Sequence, residues 1–257
     1  MQMDHLYLEA LQNMEDSLRA FEKRVPPPQL VSLGGQQAFR YTEKTIQQAI
    51  VQKLARVVSG LHAARVLLAQ GYVQELGALQ RMLDEFQEDI TFLCLAVIYN
   101  DLTELHVRYL VAFYQEEFDK PDDPVASRQE RPMIRRKRIH AYIAKSEAAV
   151  LEPSRGIQLS KTVSKAYSGF VHGASPHIME MYGGEPAKFH VQGMVGTPRH
   201  EEHERDIWNY LYRGIIAFGF AAKAFGGDDV FKSIQEYLCH FESASGRDYS
   251  DSRIKPA

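Results

Sequence analysis

The sequence predicts an all-α protein, a helical bundle built on one long antiparallel hairpin with a small irregular insertion. Three observations carry that expectation. Between residues 41 and 70 the apolar positions Ile50, Leu54, Val57, Leu61, Ala64 and Leu68 recur at spacings of 4, 3, 4, 3 and 4, the seam of a helix. The next segment repeats the alternation through Leu76, Leu79, Leu83, Phe86, Ile90, Leu93 and Val97. Only Gln70 and Gly71 interrupt the two, a break so short that the second helix must fold back along the first.

The remaining elements follow in chain order. An N-terminal helix over 4–24 is stopped by Pro26, Pro27 and Pro28 and followed by a Gly34-Gly35 loop. The core hairpin occupies 41–100. From Thr91 its second helix, TFLCLAVIY, is apolar all round, so other helices should cover that end. The C-terminal helical part, 102–242, holds helices near 102–118, 133–151, 158–172, 175–182, 201–225 and 228–242. Ser175-Pro176 and Thr197-Pro198 each read as an N-cap followed by proline at the first helical position, and Gly183 and Gly226 suit helix ends. KFHVQGMV, 188–195, is the one strand-like piece, a small hairpin or an ordered loop in the irregular insertion over 185–195. The tail over 243–257 is expected to be mobile, and residues 1–257 read as a single domain.

Composition narrows the classes. With 257 residues and 45% hydrophobic content the chain can bury a real core, and a net charge of -3 implies no general affinity for nucleic acid or anionic membranes. The amino terminus, MQMDHLYLEA, has no basic flank before an apolar core, so no signal peptide is expected. Cys94 and Cys239 lie in apolar helical patterns without metal or redox spacing, which suits a reducing cytoplasm. The most apolar stretch, 207–225, is broken by Asn209, Arg213 and Lys223 and reads as a buried helix rather than a membrane span. No cofactor motif is present. His200 and His203 share a helix face, but the acids between and after them suit a helix N-terminus, and no metal is expected.

Three places carry candidate chemistry. An acidic patch over 116–123 meets a basic one over 128–138, either a local anion or RNA contact or a solvated face. On the second hairpin helix, Arg81 and Glu85 are spaced i, i+4 away from the seam, with Glu88 further along, and Arg213 sits inside the apolar 207–225 helix. If helices cover those groups they must pair with each other or with a ligand. The most punctuated stretch is YSGFVHGASPHIMEMYGG, 167–184. On a helical wheel Leu159, Val163, Ala166 and Phe170 form an apolar stripe, while Ser168 and His172 project together from the opposite side beside Gly173.

Arg81-x-x-x-Glu85 followed by Ser168-Gly-Phe-Val-His172-Gly resembles bacterial all-helical families of unknown function that carry R-x-x-x-E and S-x-x-V-H-G segments. The resemblance implies a shared helical core in which Arg81, Glu85, Ser168 and His172 converge on a ligand. Gly169 stands where the pattern takes a larger residue. A second, shorter likeness is Arg135-x4-His140, which is similar to the motif of HEPN helical ribonucleases, where arginine and histidine approach a phosphate, usually across a dimer.

The functional expectation is a cytoplasmic bacterial helical protein, a defence or stress component, binding a small anionic ligand or protein partner at Arg81, Glu85, Ser168 and His172. One alternative is a HEPN-like metal-independent ribonuclease using Arg135 and His140, with RNA as its substrate. Another is a dimeric helical interaction module, with the seams continued in a homodimer.

Overall fold

A computed structural model describes residues 2–146 and 167–247. The chain is all-α. Helix α1 spans Gln2–Glu22, α2 Ile46–Ala69, α3 Val73–Ile98, α4 Glu104–Tyr114, α5 Arg136–Ser146, α6 Ser175–Met179, α7 Pro198–Ala224 and α8 Asp228–Ser245. Residues 167–171 are also helical, the described end of the helix expected over 158–172. Leu159, Val163 and Ala166 lie outside the described residues, as do 147–151 of the helix expected over 133–151.

Helices α2 and α3 form the expected hairpin. Ile50, Leu54, Val57, Leu61 and Ala64 meet Leu76, Leu83, Ile90 and Leu93, all buried. Each fully buried leucine contributes roughly 1.5–3 kcal/mol of transfer free energy. Thr45 starts α2 with a reciprocal cap, its hydroxyl accepting from Gln48 N while the Gln48 side chain accepts from Thr45 N. At the turn Gly71 takes a φ of 71°, and its carbonyl accepts from Met194 N at 2.8 Å, so the insertion closes over the hairpin's tip.

Helix α7 lies against both α2 and α3, and α1 and α8 complete the layer behind it. Gly214 permits the close approach, since a Cβ there would come within 3.1 Å of Leu61 and Met14. Phe21 of α1 stacks with Phe218 and Phe225, and Trp208 of α7 with Phe241 of α8. The all-apolar end of α3 is covered as expected: Phe92 stacks on His106 of α4 at 3.9 Å and meets Tyr142 of α5 edge-on. No described helix is long and apolar enough to cross a membrane.

Two expectations need correction. The Gly34-Gly35 loop is the turn of a β-hairpin, β1 Gln29–Leu33 antiparallel to β2 Gln36–Arg40, with Leu30 opposite Phe39 and Val31 opposite Ala38. Both glycines have positive φ, 52° and 72°, which suits the two-residue turn that matches strand twist. The 188–195 stretch, expected as a small hairpin or an ordered loop, has both: Lys188–Phe189 pairs with Tyr182–Gly183, and the glycine-broken remainder wraps onto the hairpin tip. Helix α8 runs three residues into the expected tail, to Ser245, before Gly246 ends it in the left-handed region.

Candidate functional site

The site is organised by ten residues of α3, QRMLDEFQED at 80–89, of which seven are polar. With α2, α7 and α5 packed around this helix, most of those side chains have little water to turn to and pair inside the protein, whereas the buried Gln80 amide has no hydrogen-bond partner among the described residues.

Toward α7 the helix presents Gln80, Asp84 and Gln87, at spacings of 4 and 3 and all buried. Asp84, 1% exposed, accepts from Arg213 Nη1 at 2.7 Å and from the Tyr210 hydroxyl at 3.5 Å. Gln87 Nε2 donates to the Tyr210 carbonyl at 3.3 Å. From the helical stretch 167–171, Tyr167 donates its hydroxyl to Asp206 at 3.0 Å, with its ring edge-on to Tyr210. Burial pushes the Asp84 carboxyl above the usual carboxylate range, and neighbouring Glu88 adds to this; Arg213 and Arg81 only partly offset it. Burial, with Asp84 and Asp206 nearby, likewise holds the Tyr210 and Tyr167 hydroxyls protonated.

Toward α5 and α2 the same helix presents Glu88 and Asp89. Lys53 of α2 reaches Asp89 at 2.8 Å. Arg136 of α5 bridges both acids, one nitrogen to Asp89 and the other to Glu88, and His140, one turn on, pairs with Glu88 at 2.9 Å. Burial alone would raise Glu88, but the hydrogen bond from His140 and the charge of Arg136 outweigh it and hold the carboxyl low. The Lys53 ammonium also lies over the Phe86 and Phe113 rings at 4.8 and 5.2 Å. This flank is a closed set of charges, and it locks α5 and α2 to α3.

The expected site residues fall around this helix. Arg81 and Glu85 do pair, at 2.7 Å, with side chains 15% and 41% exposed. Ser168 is half-buried and His172 exposed; among the described residues neither side chain bonds to Arg81 or Glu85. The segment nevertheless reaches α3, because Phe170 packs on Gly77, one turn before Arg81; a Cβ on Gly77 would come within 2.7 Å of its ring. Phe170 also meets His177 and His203 edge-on, at 4.6 and 6.1 Å. The departure at Gly169 has a cause. The turn at Gly173 and helix α6 bring the His177 ring directly over Gly169, where a side chain would overlap it, and Gln74 Nε2 holds the His177 carbonyl at 2.7 Å.

Arg135 and His140 point apart. Arg135 is exposed just before α5, whereas His140 is buried against Glu88, and Arg136 rather than Arg135 shares its face. The basic run is therefore not one solvated face, since Arg136 turns inward. His200 Nε2 donates to the Leu68 carbonyl at 2.8 Å, and His203 is buried under Phe170, where desolvation lowers its imidazole. Among the described residues no three His, Cys, Asp or Glu are grouped to hold a metal.

Sequence reasoning found Arg81, Glu85 and Arg213 but missed Gln80, Asp84, Gln87, Asp89, Lys53 and Arg136. The available signal was density: seven polar residues in ten cannot all face solvent on a helix whose seam and far end are both buried. No protein-family model, curated protein or solved structure matches this chain, and its site is read from its own geometry.

Proposed function

We propose that the chain is a helical binding protein for a small anionic ligand, a phosphate or carboxylate, held between Arg81 and Arg213 at the α3–α7 face, with the Ser168–His172 segment as the neighbouring wall. One observation carries this. Both guanidiniums act on the same buried carboxylate, Asp84, while keeping 15% and 35% of their side chains open. Glu85, half open to solvent, is then a built-in competitor that an incoming anion displaces from Arg81. The resemblance of these segments to bacterial helical families supports a setting in the bacterial cytoplasm, in defence or stress.

Calorimetric titration with inorganic phosphate and with succinate tests the reading. Arg81→Gln should weaken binding at least tenfold, and Glu85→Gln should strengthen it by releasing Arg81. If Glu85→Gln binds no better than the parent and Arg81→Gln binds no worse, the site is not there.

A second reading, a self-associating module, is favoured by the outer face of α4. Val107 and Val111, 49% and 59% exposed, flank an apolar cleft of about 440 Å³ with Leu110 and Tyr114. Sedimentation equilibrium should then show a dimer that Val111→Glu dissociates. A monomer at all concentrations removes this reading.

A further inference from the structure

A separate cavity opens between the β1–β2 hairpin and the end of α4, about 610 Å³ in volume and within the range of small-molecule sites. Its walls are mostly apolar and aromatic: Val31 and Leu33 from β1, Phe39 from β2, Tyr41 after it, and Phe113 and Tyr114 from α4. Phe113 and Tyr114 already pack edge-on against each other at 5.0 Å. Phe39 and Tyr41 have no ring partner among the described residues, and Phe39 is 67% exposed. Two aromatic side chains without ring partners thus line one cavity, an arrangement on which a flat ring can stack.

The cavity's charges are arranged with equal specificity. Its one lining carboxylate, Glu116, is engaged by both prongs of Arg40, at 2.6 and 3.0 Å, and is held below the usual range by that pair. Lys44 also lines the cavity, and among the described residues its ammonium has no hydrogen bond or ion pair, its field merely adding to that of Arg40 at Glu116. Its backbone takes a φ of 55°, a conformation that favours glycine or asparagine over lysine. The cap at Thr45 and the Tyr114 hydroxyl donating to the Thr45 carbonyl at 2.6 Å fix the chain just after it. A lysine standing where glycine would fit better, at a cavity edge, with an uncommitted charge, points to a use for that charge.

We infer that this cavity binds a planar aromatic molecule bearing a negative group, the ring stacked on Phe39 and Tyr41 and the anion held by Lys44. The inference is independent of the Arg81–Arg213 site, and its test is made in the full chain carrying Arg81→Gln, which disables that site. The probes are adenosine monophosphate and 1-naphthoate, compared with uncharged adenosine and with inorganic phosphate, in ligand-observed NMR and calorimetry. At least one aromatic anion should saturate below about 1 mM, a binding free energy on the order of 4 kcal/mol, and bind tenfold or more tighter than adenosine and phosphate. Lys44→Gly should reduce that affinity at least tenfold while thermal stability stays level or rises, because glycine relaxes the backbone. Phe39→Ser, on an exposed strand position, should remove binding without unfolding the chain. The inference fails if neither aromatic anion saturates in that range, or if folded Lys44→Gly binds as well as its parent.

Discussion

Nη1 of Arg213 lies 2.7 Å from Oδ1 of Asp84, joining the middle of α7 to the polar middle of α3. The pair is asymmetric, with the carboxylate sealed and the guanidinium a third open, so each partner's removal has a different consequence. Arg213→Ala would strand a buried acid and should destabilise the fold by about 2–4 kcal/mol, somewhat below the loss for a wholly buried pair. Chemical denaturation measures it. A loss under about 0.5 kcal/mol, the range of ordinary surface changes, would show that the contact is not structural.

Asp84 also makes a pH prediction. Its folded carboxyl is raised, chiefly by burial, so the native state holds this proton more tightly than the unfolded chain does. Stability contributed by the group is therefore full below the ordinary aspartate value, about 3.9, and declines as pH rises from there through the raised value. Asp84→Asn has no proton to lose. Urea denaturation across acidic pH should show the stability of the parent falling relative to Asp84→Asn as pH climbs from about 4. A difference that stays flat or moves the other way contradicts the assignment.

His140 and Arg135 separate a structural role from a catalytic one. His140 is buried and donates to the Glu88 carboxylate, so His140→Ala leaves both a void and a carboxylate short of a partner, a loss of about 1–3 kcal/mol. Exposed Arg135→Ala should stay within about 0.5 kcal/mol. Thermal denaturation of the two variants decides this. Equal, near-zero effects would mean that His140 is free for chemistry, and RNA cleavage would then be the activity to assay.

How much of this was legible in the residues follows from what periodicity can encode. The hairpin seam was readable because α2 and α3 bury one apolar stripe each against one another, and the helix ends because proline and glycine act locally. The Gly34-Gly35 turn carried a hairpin signal, yet Gln29–Leu33 and Gln36–Arg40 alternate too weakly to stand out, since both strands are largely exposed. The site was half legible. Arg81 and Glu85 are neighbours on one helix and their pairing is local, whereas Asp84–Arg213 and Glu88–Arg136 join residues 129 and 48 positions apart, and no spacing rule reaches across such distances. Arg136 was hidden by its neighbours. Four basic residues in a row look alike in sequence, and only the phase of α5 against α3 decides which one turns inward.

Gly169 gives a packing prediction. The His177 ring occupies the space a Cβ would need, so Gly169→Ala should destabilise by about 1–3 kcal/mol through overpacking. His177→Ala removes the obstacle. In the double variant the two losses should be markedly less than additive, a coupling that a thermodynamic cycle isolates. Additive losses would mean that the ring and the glycine do not meet.

The last prediction concerns Phe170 and His172, two residues apart on the segment that joins the fold to the proposed site. Phe170 packs on Gly77 and against His177 and His203, so Phe170→Ala should cost about 2–3 kcal/mol, the lower part of the range for a large aromatic because the ring is only half buried. His172 projects into solvent after the helical stretch ends and touches none of these groups, so His172→Ala should change stability by less than about 0.5 kcal/mol. Their effects on phosphate titration should be reversed in kind. His172→Ala should weaken binding in a fully folded protein, whereas Phe170→Ala should weaken it only as far as the wall beside Arg81 loosens, and a stabilising osmolyte should restore part of that loss. If His172→Ala is as destabilising as Phe170→Ala, the histidine belongs to the core; if it is silent in both stability and titration, the ligand does not reach that end of the segment.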